Sequence, residues 1–209
     1  QESHSSIVKS HFEDEYKEYD ELIKKLIPKY EEMYQKVVDL VNFPVKEKLN
    51  ILDLGIGTGQ TSLKLLQKFP YCKIEGIDLS PNMMKQSKER LGRYRERVNF
   101  KEIDMINLEV EKNKFDACVA ILSIHHLNEK QKPKLFNKIF KSLKSEGIFV
   151  IGDIIKFDSD EETREKEEEW NKFLIESLGE RDAKYWFDNY KEEDLPSSIN
   201  NHLKWLKES

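Results

Sequence analysis

The segment from Ile51 to Gly59 constrains the fold of this chain more than any other. It reads Ile-Leu-Asp-Leu-Gly-Ile-Gly-Thr-Gly, so an apolar strand that carries an acid runs into three alternating glycines. Glycine adopts positive φ at low cost and has no Cβ to keep a ligand away from the main chain. A helix is predicted over residues 60–68, and its N-terminal N–H groups would face the same turn. The segment therefore predicts a strand, a glycine turn and a helix that hold a nucleotide-type ligand.

The spacing of the glycines separates two classes of ligand. A dinucleotide-binding turn follows the pattern GxGxxG, which requires its third glycine at position 60, where this chain has Gln60. The pyrophosphate interpretation is therefore weakened. A nicotinamide-dependent oxidoreductase stays open as an alternative because it shares the strand, the glycine turn and Asp78. It would also need a catalytic Tyr/Lys or His pair, and the sequence reveals none.

Acids lie at the ends of three successive predicted strands: Asp53, Asp78 and Asp104. Each acid alone is also typical of a turn or a helix N-cap, and Ser80-Pro81 is itself a good helix start. Ligands of open α/β sheets bind at the carboxyl ends of the strands. Three acids at that edge within one βαβ series therefore favour a ligand site.

The motif from Asp53 to Gly59 resembles motif I of the class I S-adenosylmethionine-dependent methyltransferases, and the resemblance continues in order over residues 50–155. It implies that Asp53 organises the amino group of the cofactor, that Asp78 binds both ribose hydroxyls and that Asp104 accepts a hydrogen bond from adenine. It implies S-adenosylmethionine as cofactor, S-adenosylhomocysteine as product and no metal. The implied cofactor contacts are Tyr30, Asp53, Gly55, Gly57, Gly59, Asp78, Leu79, Met83, Asp104, Met105 and Ile121.

The expected fold class is α/β, a Rossmann-like doubly wound sheet of the class I methyltransferase type. Five parallel strands are predicted, at residues 51–53, 73–78, 98–103, 115–122 and 147–155, with a helix at residues 133–143. The family normally adds a C-terminal strand hairpin, and no such pattern follows residue 155. We divide the chain into an N-terminal helical cap (1–49), a cofactor-binding core (50–155) and a helical lid on the acceptor side (156–209).

Two flanking segments are predicted to cover the sheet edge. Apolar residues at helical spacing over residues 12–41 are interrupted near Pro28, which predicts two helices that meet there. Helices before the first strand often cover the ligands in this family, so Tyr16, Tyr19 and Tyr30 are candidate pocket residues, although packing against the sheet explains them equally well. The tail contains all three tryptophans, Trp170, Trp186 and Trp205, and is predicted to shape the acceptor pocket.

His125 and His126 are the candidate catalytic residues. They follow the fourth predicted strand, where the substrate face of this family lies, and an imidazole with a pKa of about 6.5 suits a general base. Adjacent residues point in different directions, so at most one of the two is expected in the pocket. Packing and capping are the alternative role for both. A further alternative is a non-catalytic partner subunit that keeps the cofactor fold.

The core motif, Ile-Pro-Lys-Tyr at residues 27–30 and the tail at residues 202–206 are together similar to the carboxy-S-adenosylmethionine synthase family. That family has an arginine in its tail for the extra carboxylate of its cofactor, and the nearest counterpart here is Trp205. Its asparagine after the fourth strand corresponds to Ile121. Both departures argue for an ordinary methyl donor.

The composition limits the binding partners and the cellular location that we expect for this protein. The chain has 209 residues and a net charge of −5, and it contains no apolar run long enough for a membrane span, so we expect a soluble, cytoplasmic enzyme. Its main basic cluster, at Arg90, Arg93, Arg95 and Arg97, is too small to predict nucleic-acid binding, and the expected partner is a small-molecule acceptor. Cys72 and Cys118 are predicted to be core residues. A homo-oligomer is expected through the exposed fifth strand or the lid.

Overall fold

The computed structural model describes residues 19–209, and Tyr16 lies outside the described residues. Its helices are α1 (Tyr19–Leu26), α2 (Tyr30–Leu40), α3 (Gln60–Lys68), α4 (Pro81–Arg90), α5 (Lys132–Ser142), α6 (Asp160–Leu178), α7 (Glu180–Glu193) and α8 (Ile199–Glu208). Short 3₁₀ turns span Gly92–Arg97, Met105–Asn107 and Ile124–His126. The strands are β1 (Asn50–Leu54), β2 (Lys73–Asp78), β3 (Val98–Glu102), β4 (Phe115–Ile121) and β5 (Leu143–Gly152).

The five strands form one parallel sheet in the order β3-β2-β1-β4-β5. Strands β1, β2 and β3 lie side by side in chain order, and β4 lies on the other side of β1. The topological switch point therefore lies between β1 and β4, where the carboxyl ends of the strands open a crevice. The predicted doubly wound Rossmann-like fold is confirmed.

Alternation along the strands divides the core between the two faces of the sheet. Ile51 belongs to the cluster beneath α2 and α3, whereas its neighbour Leu52 belongs to the cluster that includes Phe136 of α5 and Trp205 of α8. Successive side chains of a strand point to opposite faces, so one buried strand supports both clusters. Both cysteines are buried and unpaired.

The element boundaries agree closely with the sequence, apart from the fifth strand. That strand was expected at residues 147–155, but it begins at Leu143 and ends at Gly152. It starts early because Leu143 already pairs with Phe115, before an irregularity in the register between Phe115 and Ala117. In the described part of the chain, β5 has a strand neighbour on one side only, and no strand follows it.

Within the described residues, both flanking segments contain helices, as predicted. Helices α1 and α2 meet around Pro28, with Lys29 in the left-handed region at φ 56°. The tail contributes α6, α7 and α8, and a single parallel bridge joins Lys156 to Ser198. Among the described residues no helix has the length and apolar character that crossing a bilayer requires. The division into segments 1–49, 50–155 and 156–209 stays a prediction.

Candidate active site

All three motif glycines adopt positive φ, but their surroundings differ. The φ angles are 73° at Gly55, 53° at Gly57 and 83° at Gly59. A Cβ at Gly55 would lie 2.6 Å from the Cβ of Ser123, and one at Gly59 would lie 3.2 Å from Leu91. A Cβ at Gly57 would meet only a backbone oxygen, 3.9 Å away. Packing explains the outer two glycines, and Gly57 is the position that leaves space for a ligand.

A cavity of about 110 Å³ opens beside this turn at the carboxyl ends of the strands. Of the residues predicted to bind the cofactor or act in catalysis, it brings together Gly55, Gly57, Asp78, Leu79, Met83, Asp104, Met105, Ile121 and His126. Tyr19, Tyr34, Thr58, Gln60, Ser80, Leu122 and Ser123 also line it. We refer to it as the cofactor cavity.

Asp78 lies at the centre of the cofactor cavity and is held by main-chain groups. One carboxylate oxygen accepts the N–H of Gly57 at 2.8 Å and the other accepts the N–H of Ser80 at 2.9 Å. Burial raises the pKa of Asp78, while these N–H groups act in the opposite direction. The main-chain N–H of Leu79 is a third donor to this carboxylate. The two oxygens together have about four lone pairs, so the carboxylate can still accept a hydrogen bond from a ligand hydroxyl group.

Asp104 and Met105 also line the cofactor cavity. Asp104 caps the 3₁₀ turn that follows β3, because its side chain accepts the N–H of Ile106 at 3.1 Å. The capping role and the position in the cavity are compatible, since a carboxylate accepts several hydrogen bonds. Helix capping and ligand binding, the two roles that the sequence allows for Asp104, are therefore both possible.

Three predicted cofactor residues lie outside the lining of this cavity. Asp53 is 2% exposed and accepts the hydroxyl hydrogen of Ser62 at 2.6 Å, and burial raises its pKa to about 7. Tyr30 is 3% exposed and packs against Tyr34 with ring centroids 4.4 Å apart. Gly59 precedes α3 and packs toward Leu91. Their roles in cofactor binding stay predictions, and Tyr34 is the tyrosine of α2 that reaches the cavity.

A second cavity of about 560 Å³ lies beside the first, between α1 and the tail helices. Its apolar lining comes from α1 and the following turn, the segment after β5 and the tail, and includes Leu22, Ile23, Leu26, Ile27, Ile154, Phe157, Trp170 and Trp186. Tyr19, Leu122 and His126 line both cavities. We refer to it as the acceptor cavity, because it meets the cofactor cavity at these three residues.

Comparison with known proteins agrees with this architecture. Residues 51–147 match the family described as methyltransferase domain. This match supports the resemblance to the class I S-adenosylmethionine-dependent methyltransferases. A carboxy-S-adenosyl-L-methionine synthase of Nautilia profundicola is 27% identical over 65% of this chain and 57% of its own length. A malonyl-[acyl-carrier protein] O-methyltransferase of Acetivibrio thermocellus is 29% identical over 69% of this chain and 48% of its own length.

A solved structure extends the likeness to the flanking helices. Phosphoethanolamine N-methyltransferase 2 of Haemonchus contortus, in complex with S-adenosyl-L-methionine, superposes with a TM-score of 0.72 at 19% identity, over 100% of this chain and 44% of that one. At this identity the likeness shows the fold alone. The chain spans about half the length of the curated relatives it matches.

The loop after β4 places the two histidines in a buried polar network. Asp153, just after β5, accepts the N–H groups of Ile124 at 2.7 Å and His125 at 3.0 Å and contacts His125 Nδ1. Asp194, at the end of α7, lies 3.5 Å from His125 Nε2 and 3.4 Å from His126 Nδ1. The network therefore joins the core to the tail.

The pKa values of the two histidines are shifted in opposite directions. Burial alone would lower the pKa of His125, but the negative charges of Asp153 and Asp194 raise it above its ordinary value. Burial and the positive charge of His125 lower the pKa of His126 to about 4. His126 is therefore neutral at pH 7 and lines both cavities, whereas His125 lines the acceptor cavity alone.

Four residues at the site were not singled out from the sequence. Asp153 follows β5 just as other acids follow β2 and β3, so a signal was present and was missed. Asp194 had no signal, because the acidic tail contains many similar residues. Tyr34 and Leu122 lie in runs that indicate ordinary core packing. Leu122 adopts a φ of 48°, which is uncommon for leucine and could not be predicted from the sequence.

Proposed function

We propose that this protein transfers a methyl group from S-adenosylmethionine to a small, largely apolar acceptor. The observation that carries the proposal is the contact between the two cavities at Tyr19, Leu122 and His126. A cavity at the strand ends that contains the carboxylates of Asp78 and Asp104 suits the cofactor, and an adjoining apolar cavity with a few polar groups suits a small molecule. The methyl group would then pass between the two at the shared residues.

On this proposal the cofactor is held chiefly through the strand ends. Asp78 accepts hydrogen bonds from the two ribose hydroxyls, and Asp104 and Met105 bind the adenine. The main chain at Gly57 lies against the cofactor, where a Cβ would enter open space. Asp53 acts from beneath the turn, through Ser62 and the start of α3.

Methyl transfer requires the protein mainly to align the two reactants. A sulfonium is a good leaving group, so the rate depends on holding the nucleophile, the methyl carbon and the sulfur in line and on excluding water. His126 can accept a proton from the acceptor because it is neutral and faces both cavities. Its lowered pKa makes it a weaker base than free imidazole, so we assign most of the rate to positioning. His125 is bound between Asp153 and Asp194 and does not serve as the base.

The charges around the acceptor cavity favour a neutral or cationic acceptor. Four carboxylates line it, Asp153, Glu167, Glu193 and Asp194, against one lysine, Lys166. That lysine lies 2.8 Å from Glu169. The relatives named above include proteins for malonyl and phosphoethanolamine acceptors, which carry anionic groups. Among the described residues that line this cavity, none is an arginine that could bind such a group.

The synthesis of carboxy-S-adenosylmethionine is not proposed, although relatives with that name match the chain. Trp205, the nearest counterpart of the tail arginine, packs against Phe136 in the core with ring centroids 6.4 Å apart. Ile121 gives the cofactor cavity an apolar side chain where that family has an amide. Neither residue can pair with an additional carboxylate on the cofactor. No contact at the site favours a nicotinamide cofactor either.

Nucleic acid is not proposed as the acceptor. Two members of the basic cluster have structural partners: Arg90 binds Asp20, and Arg97 donates to the carbonyl oxygens of Leu66, Phe69 and Pro70. We propose a cytoplasmic location, and association through the open edge of β5 or through the tail helices, as the remaining expectations from the sequence.

Thermal unfolding with and without S-adenosylhomocysteine tests the cofactor. A ligand at about 100 times its dissociation constant adds about 2.7 kcal/mol of stability. We expect this stabilisation with S-adenosylhomocysteine and none with NADH. Asp78→Asn should weaken binding about 10²–10⁴-fold, because two hydrogen bonds to a charged acceptor contribute about 1.5–3 kcal/mol each. Asp188→Asn, an exposed change on α7, is the matched control. Stabilisation by NADH, or equal stabilisation of the Asp78 variant, would refute the assignment.

A further inference from the structure

Three potential metal-binding atoms converge where the tail meets the loop after β4. They are His125 Nε2, His126 Nδ1 and Asp194 Oδ1, and all lie within 4.8 Å of one another. The carboxylate oxygen is 3.5 Å from the first nitrogen and 3.4 Å from the second. Nitrogen–oxygen hydrogen bonds are normally about 2.7–3.2 Å long, so both separations exceed that range.

These separations match those between ligands of one tetrahedral ion. Zinc binds imidazole nitrogen and carboxylate oxygen at about 2.0–2.2 Å, which places two ligands of a tetrahedral site about 3.3–3.5 Å apart. The two nitrogen–oxygen separations therefore suit one ion, and the two nitrogens, which lie within 4.8 Å of each other, would close on it by side-chain movement. Two imidazoles and a carboxylate are also a donor set that divalent transition metals prefer.

Asp153 supplies the support that metal-binding histidines usually have. It contacts Nδ1 of His125, which directs Nε2 of the same ring toward Asp194. The carboxylate is fixed in turn by the N–H groups of Ile124 at 2.7 Å and Ile154 at 2.8 Å. A carboxylate behind a ligating histidine fixes the ring and its tautomer. The ligand set is therefore oriented before any ion arrives.

We propose that His125, His126 and Asp194 bind a divalent transition-metal ion of the zinc type, with Asp153 as the positioning residue behind His125. All four residues line the acceptor cavity. Three protein ligands leave one position for an exogenous ligand, as in zinc sites that bind substrate. Because the three ligand residues line the acceptor cavity, an oxygen or nitrogen of the acceptor would be the fourth ligand.

The metal site rests on the proposed role of the acceptor cavity but shares none of the proposed cofactor contacts. The ligands come from the tail and from the loop after β4, and the glycine turn and Asp78 take no part. The lone pair of His126 cannot bind an ion and accept a proton at the same time, so occupancy of the site replaces the base assigned above. Binding is therefore measured without S-adenosylmethionine, and its failure would leave the cofactor assignment intact.

The test uses the full chain after treatment with a chelator and dialysis. Titration with CoCl₂ should give one equivalent of a tetrahedral visible spectrum, and ZnCl₂ should displace it and give the same stoichiometry by calorimetry. Asp194→Asn and His126→Gln should each abolish the spectrum. Asp153→Asn should weaken zinc binding about 10–100-fold, because it removes support and no ligand.

Two control variants keep the test specific. His202→Asn changes a buried histidine of α8 that packs against Phe136, and Asp188→Asn changes an exposed acid of α7, and both should bind cobalt as the parent does. Thermal unfolding of the metal-free proteins shows which variants fold. Because two ligand variants are used, the test remains valid if one of them fails to fold. Absence of one-to-one binding in the parent, or unchanged affinity in the folded ligand variants, would overturn the proposal.

Discussion

The cofactor cavity and the acceptor cavity share a boundary, but the chain builds them by different means. The cofactor cavity is formed by consecutive strand-to-helix turns, with main-chain N–H groups of Gly57 and Ser80 in its central contact. The acceptor cavity is formed by side chains from α1 near one end of the described chain and from α6 and α7 near the other. Main-chain geometry sets the first cavity and side-chain packing sets the second.

This difference bears on what each cavity can specify. Main-chain groups at glycine turns are insensitive to most substitutions, so one arrangement can serve the same cofactor in many proteins. Aromatic and aliphatic side chains of a helical lid can change one by one, and each change alters the shape of the acceptor cavity. We therefore expect mutations to separate into those that affect the cofactor and those that affect the acceptor.

The largest effect is expected at Asp53, beneath the cofactor cavity. Its pKa is raised by burial to about 7, while the unfolded chain has the ordinary value near 3.8. The folded state therefore binds the proton more tightly. The stabilisation is fully present below pH 4 and is lost as the pH rises through 7. A shift of about three units corresponds to at most about 4 kcal/mol.

Asp53→Asn removes this titration and keeps an acceptor for Ser62. We expect the free energy of unfolding of the variant to exceed that of the parent at pH 8 and the difference to vanish near pH 4. Urea unfolding at a series of pH values measures it. Ser62→Ala is the companion variant, since it leaves the carboxyl group without its hydrogen bond. A constant difference at all pH values would show that Asp53 has the same pKa in both states.

The sequence was sufficient to predict the elements around the cofactor cavity because the patterns that indicate them are local. The glycine spacing, the strand-end acids and the alternation of apolar residues all act within one strand-to-helix unit, and they located α3 and β2 at their observed bounds. The acceptor half depends on contacts between distant segments. Asp194 reaches His126 only because α6 and α7 fold back over the core, and nothing near Asp194 in the sequence indicates that path. The acceptor-side network was therefore found only in the structure.

The second effect is expected at Trp170, which holds the tail against α1. Its Nε1–H donates to the carbonyl oxygen of Leu26 at 2.7 Å, and its ring packs against Phe187 and Tyr190. Trp170→Ala should cost about 3 kcal/mol, because it leaves a cavity in the cluster between the tail and α1. Urea unfolding and S-adenosylhomocysteine calorimetry should show lower stability with nearly unchanged cofactor affinity.

A milder variant resolves the contributions at this position. Trp170→Phe keeps an aromatic ring and loses the hydrogen bond, so its cost should be about 1 kcal/mol. If either variant weakened cofactor binding as strongly as it weakened the fold, the two cavities would not be separable in the way described above.

Two glycines of the motif allow a matched comparison within the cofactor half. An alanine at either Gly57 or Gly59 must adopt a positive φ, which costs about 1–2 kcal/mol. At Gly59 the new methyl group meets Leu91 and Ser87 at 3.2 Å, and at Gly57 it enters open space beside the cofactor cavity. We expect Gly59→Ala to lower stability more and Gly57→Ala to lower cofactor affinity more. If one variant lowered both stability and cofactor affinity more than the other, the assignment of Gly57 as the ligand-facing position would be contradicted.

The smallest effect is expected at Asp20, which joins the N-terminal helices to the glycine turn. Asp20 of α1 accepts hydrogen bonds from Thr58 Oγ1 at 2.6 Å and Gln60 Nε2 at 2.8 Å, and it pairs with Arg90 of α4. The Arg90 guanidinium also donates to the Thr58 carbonyl oxygen at 3.0 Å. One carboxylate thus fixes the helix that carries Tyr19 over both cavities.

Asp20→Asn keeps an acceptor for Thr58 and Gln60 but loses the charge that binds Arg90. Because the pair is partly exposed, we expect a loss of only about 1 kcal/mol, or about fivefold in an equilibrium constant. Since α1 covers the cofactor cavity, the loss should appear as faster dissociation of S-adenosylhomocysteine in a stopped-flow displacement experiment. Glu21→Gln, at an exposed neighbouring position that contacts Lys24, is the control. Equal dissociation rates in the parent and the Asp20 variant would mean that α1 does not limit the exit of the cofactor, and access would then have to come from the side of the tail.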